Sequence, residues 1–105
     1  MKTVNRGSVI VTPAKPMIEW SKQFDELLAL DDTSEPTVYL IEDGFMDEEP
    51  ILKANFKKIF LNELSVISDD ESTFPEIKWE VFNEWFVIDT GTAVFDLDTS
   101  NIKAD

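Results

Sequence analysis

Carboxylates dominate the reactive chemistry this chain can offer. It contains 22 Asp and Glu residues but no His and no Cys. The commonest general base and the commonest transition-metal ligand are therefore missing, as are thiolate catalysis, disulfides and cysteine metal sites. Ser-His-Asp triads are excluded by composition. What remains is carboxylate chemistry, and three acids near the C-terminal end, Asp89, Asp96 and Asp98, are placed where a strand meets a turn or tail.

Asp89 lies in Val87-Ile88-Asp89-Thr90-Gly91-Thr92. This resembles the active-site motif of pepsin-like and retroviral aspartic proteases, in which two such Asp residues share a proton and activate water. One Asp per protomer of a homodimer would meet that need. However, only residues 92–105 follow Gly91, too few for the flap and the second half of a protease lobe. The helical content before the motif is also wrong for an all-β protease. Read as plain structure, Gly91 supplies a positive φ and Asp89 caps a turn. Asp96 and Asp98 lie in Ala93-Val94-Phe95-Asp96-Leu97-Asp98-Thr99, which resembles the first motif of haloacid-dehalogenase-type phosphatases. There the first Asp attacks phosphorus, the second handles the proton and Mg²⁺ offsets the charge. That family carries its later Lys and acidic motifs downstream of this strand, and here the strand nearly ends the chain. Asp96-x-Asp98-x-Ser100 also opens like a calcium loop, but its twelfth position falls beyond Asp105.

Further acids cluster at Asp31-Asp32-Glu35, at Glu42-Asp43-Asp47-Glu48-Glu49 and at Asp69-Asp70-Glu71. Hard cations prefer such oxygen ligands, but none of the clusters has a recognised ligand spacing, and adjacent acids in loops are commonly just solvated. No metal and no cofactor is implied. By charge density, Glu42, Asp43, Asp47, Glu48 and Glu49 are the candidate binding surface.

The element that must position these acids is the helix of residues 47–67. Leu52, Phe56, Ile59, Phe60, Leu64 and Ile67 recur at steps of three and four, placing them on one helical face. Lys53, Lys57, Asn62 and Glu63 fall largely off that stripe. Asp47 is the expected N-cap, Glu48 and Glu49 sit at the positive end of the helix dipole, and Pro50 suits the first turn. Before it, residues 8–12 read as a strand, 16–29 as a helix carrying Met17, Trp20, Phe24, Leu27 and Leu28, and 37–41 as an inner strand. Strand, helix, strand in this span is a βαβ pattern; parallel neighbours would give a right-handed crossover. After it, Thr73-Phe74-Pro75-Glu76 reads as a capping box opening a helix over 75–85. Ile77, Trp79 and Val81 also alternate as in a strand, and the cap favours helix. Residues 86–89 and 93–97 are β-like, with Thr90-Gly91 a hairpin turn or a kink.

The expected fold is α+β in one domain of residues 1–105: a three- or four-stranded sheet with about three helices packed mainly on one face. A flexible start (1–6) and a polar tail (99–105) flank it. The alternative architecture is an open α/β sandwich. With 105 residues, eight Phe and three Trp, the chain can build one core. The start, MKTVNRGSVIVTPAK, lacks an apolar core and a small-residue cleavage site, and no apolar run approaches the ~20 residues of a membrane span. The sequence therefore predicts a cytoplasmic protein.

Nine basic residues leave a net charge of -13. Nucleic acid and anionic membranes are poor direct partners, because phosphates would be repelled. A basic protein partner, or multivalent cations, would be favoured. The leading expectation is a non-enzymatic protein–protein interaction or regulatory module. A sharper form is DNA mimicry, with carboxylates imitating phosphates. The alternatives are a structural homo-oligomer driven by Trp79, Trp85 and Phe86, and a metal-assisted hydrolase using Asp89, Asp96 or Asp98.

Asn5-Arg6-Gly7 with Val9-Ile10-Val11-Thr12-Pro13, Pro16 and Trp20, then Glu84-Trp85-Phe86 and Val94-Phe95-Asp96-Leu97, resemble a family of small acidic bacterial proteins of unknown function. The resemblance covers most of the chain. It implies a bacterial cytosolic protein and transfers no catalytic residues.

Overall fold

The computed structural model describes residues 1–24, 29–98 and 100–103. Among them the chain forms strand β1 (Lys2–Val4), strand β2 (Gly7–Pro13), helix α1 (Lys15–Ser21), strand β3 (Thr37–Ile41), helix α2 (Glu48–Ile67), a 3-10 turn (Glu71–Thr73), helix α3 (Trp79–Trp85), strand β4 (Phe86–Gly91) and strand β5 (Val94–Asp96). The fold is α+β. β3, β2 and β4 make a three-stranded sheet in that order, and β1 pairs with β5 in a separate two-stranded ribbon. The start of the chain, expected as a flexible segment, thus supplies a strand.

Every pairing among the described residues is antiparallel, so the two strands of the expected βαβ pattern are not parallel neighbours. Gly7 stands opposite Ile41, and Val11 opposite Thr37. A parallel return would carry the chain back along the whole of β2. α1 has seven residues, about 10 Å of rise, against more than ~20 Å for a strand of equal length. Leu30 is also held at the end of α1: its N–H donates to Ser21 Oγ at 2.9 Å, and that hydroxyl donates to the Ile18 carbonyl at 2.7 Å. β3 therefore begins at the end where β2 finishes. The helix predicted over 16–29 stops at Ser21, and its expected positions Leu27 and Leu28 lie outside the described residues.

α2 keeps its predicted start. The Asp47 side chain accepts from Glu49 N–H at 3.3 Å. Its buried face carries Leu52, Phe56, Ile59, Phe60 and Leu64 as expected, and adds Ile51 and Glu63. Burial of Glu63 corrects the sequence reading, which put it off the stripe.

The predicted capping box is absent. Thr73 closes the 3-10 turn, its hydroxyl donating to the Asp70 carbonyl at 2.7 Å, and Glu76 pairs with Lys78 at 2.6 Å. For Thr73 to cap a helix, Phe74 would need α conformation directly before Pro75, which the proline ring disfavours. Phe74 is extended instead, at ψ 146°, and α3 starts later, at Trp79, without a side-chain cap.

Thr90-Gly91 is not a hairpin turn. β4 continues through Gly91, which stands opposite Ser8, while β5 leaves to pair with β1. The only described residue with positive φ is Gly44, at 71°, so Gly91 does not play the left-handed role expected of it.

The core is aromatic. Phe60 packs on Phe82, Phe86 and Trp85 at centroid distances of 5.5–5.9 Å, and Trp20 contacts Phe24, Phe74 and Trp85. The Trp20 indole donates to the Thr73 carbonyl at 2.9 Å, which seats the 3-10 turn on α1. Val9, Val11, Ile41 and Phe86 close the core from the sheet, while the alternating Val38, Leu40 and Val87 are exposed.

Candidate functional site

The five candidate acids converge on one end of the three-stranded sheet. Glu42 and Asp43 follow β3 directly, Gly44 takes the left-handed turn, and Phe45 folds back onto β2. The contact is close. A β-carbon at Gly7 would stand 2.8 Å from Phe45 Cε1, 3.0 Å from the Gly91 carbonyl oxygen and 3.2 Å from that of Glu42. Glycine at position 7 therefore lets the acidic loop, β2 and the end of β4 meet. Thr90 adds a second tie, its hydroxyl donating to Glu48 Oε2 at 2.7 Å.

All five acids are exposed. Three of them also serve the helix: Asp47 caps it, Glu48 accepts from Thr90, and Glu49 pairs with Lys53 at 3.2 Å. The Lys53 ammonium also lies 5.6 Å from the Trp79 ring centroid. Glu42 and Asp43 have no hydrogen-bond or ion-pair partner among the described residues. Chemically, this end presents oxygen acceptors, held by backbone and packing, to a cationic or hydrogen-bond-donating surface.

The acids of the two enzyme-like motifs are placed apart. Asp89 stands on β4 opposite Ile10, in the three-stranded sheet. Asp96 stands on β5 opposite Lys2, in the ribbon. Asp96 accepts from Asp98 N–H, and Asp98 accepts from the backbone N–H and hydroxyl of Ser100. Among the described residues no group of three or more acids is placed to hold a metal ion. No described helix is long and apolar enough to cross a membrane.

Sequence reasoning missed a polar network between β3 and α2. Glu63, 9% exposed, accepts from Tyr39 Oη at 2.5 Å and from Thr37 Oγ1 at 3.2 Å. Asn62 Nδ2 donates to Tyr39 Oη at 2.9 Å. Burial chiefly, with the neighbouring Glu63 carboxylate adding to it, raises the Tyr39 phenol above its ordinary range, against the Asn62 hydrogen bond. A signal was present: Glu63 is four residues after Ile59 and three after Phe60, on the helical stripe itself.

Comparisons with protein-family models, curated proteins and solved structures give no match.

Proposed function

We propose that the protein is a non-enzymatic interaction or regulatory module of the cytoplasm, and that its acidic end, residues 42–49, receives a basic face of a partner protein. The observation that carries this reading is the anchorage of that segment. Phe45 against Gly7 and Thr90 on Glu48 fix a run of exposed carboxylates to the sheet. Fixed carboxylates lose less side-chain and loop entropy on meeting a partner than free ones do. The net charge of -13 adds long-range steering of a cationic surface. The test is capture by the tagged protein from a lysate of the source organism, washed across a salt series. A specific basic protein that leaves as salt rises supports this role, and binding indifferent to salt opposes it.

A second role, as a homo-oligomer, is favoured by one observation. Val38, Leu40 and Val87 lie exposed on the outward side of the sheet, at 58%, 49% and 56%. The aromatics expected from sequence to drive assembly are spent inside: Phe86 is 3% exposed, and Trp79 and Trp85 pack against the core. Light scattering that finds a monomer at every concentration removes this role.

A further inference from the structure

Away from the acidic end, a cleft of about 170 Å³ opens between α1, the start of β3 and the last turns of α2. At about 30 Å³ per water, that is the bulk of roughly five waters or of a short alkyl chain. Its walls are apolar, from Met17, Leu30, Val66 and Ile67. Among the described residues its polar groups are Thr37, Glu63 and, at the exposed rim, Glu35. Of the lining residues, Leu30 is held by its N–H bond to Ser21 Oγ, and Glu63 accepts from Thr37 Oγ1.

Glu63 is the unusual member. It is nine-tenths buried, yet both of its described partners, Tyr39 and Thr37, are neutral hydroxyls. All nine basic residues are described, and none forms an ion pair with it. A buried carboxylate is ordinarily matched by a cation. Here the place beside it is a cleft with greasy walls and a second acid at its mouth.

We propose that this cleft binds aliphatic ammonium groups. Glu63 receives the charged end, Glu35 attracts it at the entrance, and Met17, Leu30 and Ile67 cover the alkyl stem. The shared chemistry is a primary amine on a chain of a few carbons, whether a free alkylamine or a lysine side chain. This site is independent of the acidic end, and either can fail without the other.

The test is a chemical-shift titration of the full chain, at fixed pH and ionic strength, with n-pentylamine, Nα-acetyl-lysine methylamide and n-pentanol as the neutral counterpart. Saturable shifts at the Leu30, Val66 and Ile67 methyls with an amine, and much weaker ones with n-pentanol, support the site. Binding of the amide as well as n-pentylamine points to lysine side chains, and binding of n-pentylamine alone points to free amines. Glu63→Gln removes the charge and keeps one oxygen acceptor, with an amide NH2 in place of the second. It should weaken amine binding about tenfold or more, as loss of a hydrogen bond between charged groups does. Val66→Lys, at a position 76% exposed, places a competing ammonium at the rim without disturbing the core and should weaken binding likewise, whether or not Glu63→Gln folds. Equal shifts from n-pentanol, shifts confined to residues 42–49, or unchanged affinity in Val66→Lys would overturn the proposal.

Discussion

The ring of Phe45 fills the space that a side chain on Gly7 would need, with Cε1 2.8 Å from the position of a β-carbon there. The first residue of β2 and the acidic loop are thereby interlocked, 38 positions apart in sequence, since 45 − 7 = 38. Gly7→Ala must push the ring aside and also press on the carbonyls of Gly91 and Glu42. We expect a loss of about 1–3 kcal/mol, as overpacking commonly costs, with shifted amide resonances at residues 42–47. A variant that melts and resonates like wild type would show that this contact holds nothing in place.

The Asp47 cap joins the acidic end to α2. Asp47→Ala should cost about 0.5–2 kcal/mol by chemical denaturation, the usual range for losing such a cap. Asp47→Asn retains an acceptor for Glu49 N–H and should recover most of it. Equal losses in both variants would mean that charge at the helix dipole, not the hydrogen bond, is the larger effect.

Phe60 is fully buried among Phe82, Trp85 and Phe86. Phe60→Ala should destabilise the domain by about 3–5 kcal/mol, and Phe60→Asp should prevent folding. Its neighbour Leu61 is 40% exposed, so Leu61→Ala should cost less than about 1 kcal/mol. Similar melting temperatures for Phe60→Ala and Leu61→Ala would contradict the orientation of α2.

Tyr39 is the chain's single tyrosine, so its ionisation can be followed by phenolate absorbance. Its pKa is raised above the ordinary 10.0 by burial first, with the neighbouring Glu63 adding to the shift. The neutral phenol is thus favoured in the folded state. The stability linked to Tyr39 is complete below about pH 10, where neither state ionises, and falls as pH rises further because the unfolded chain ionises first. Absorbance should change only with alkaline unfolding, and Tyr39→Phe should flatten the alkaline loss. A reversible titration near pH 10 in the folded protein would show Tyr39 to be free of this network.

What the sequence revealed follows from where local patterns decide the structure. α2 is legible because its stripe, its Asp47 cap and Pro50 agree. The strands Thr37–Ile41 and Gly7–Pro13 are legible from their β-branched runs. The α+β class follows from these. Strand direction is not legible, because it depends on a Ser21–Leu30 hydrogen bond and on a helix of only seven residues. The start of α3 is misread because Thr73 and Glu76 fit a capping pattern that Phe74, held extended ahead of Pro75, cannot complete. The pairing of Lys2–Val4 with Val94–Asp96 joins the two ends of the chain, beyond the reach of periodicity. The acidic end is visible as a run of charge. Its anchorage by Gly7 and Thr90 is not, since both contacts are tertiary.

The most direct test of the central proposal compares two variants of equal charge in the same capture experiment. In one, Glu42→Gln, Asp43→Asn, Glu48→Gln and Glu49→Gln neutralise the acidic end while Asp47 keeps its cap. In the other, Asp32→Asn, Asp69→Asn, Glu71→Gln and Glu84→Gln remove four exposed acids elsewhere. A basic partner retained by the wild type should be lost from the first variant and kept by the second, with both variants folded. Equal retention by the two, or equal loss, would contradict it, and the charge of residues 42–49 would then serve solubility alone.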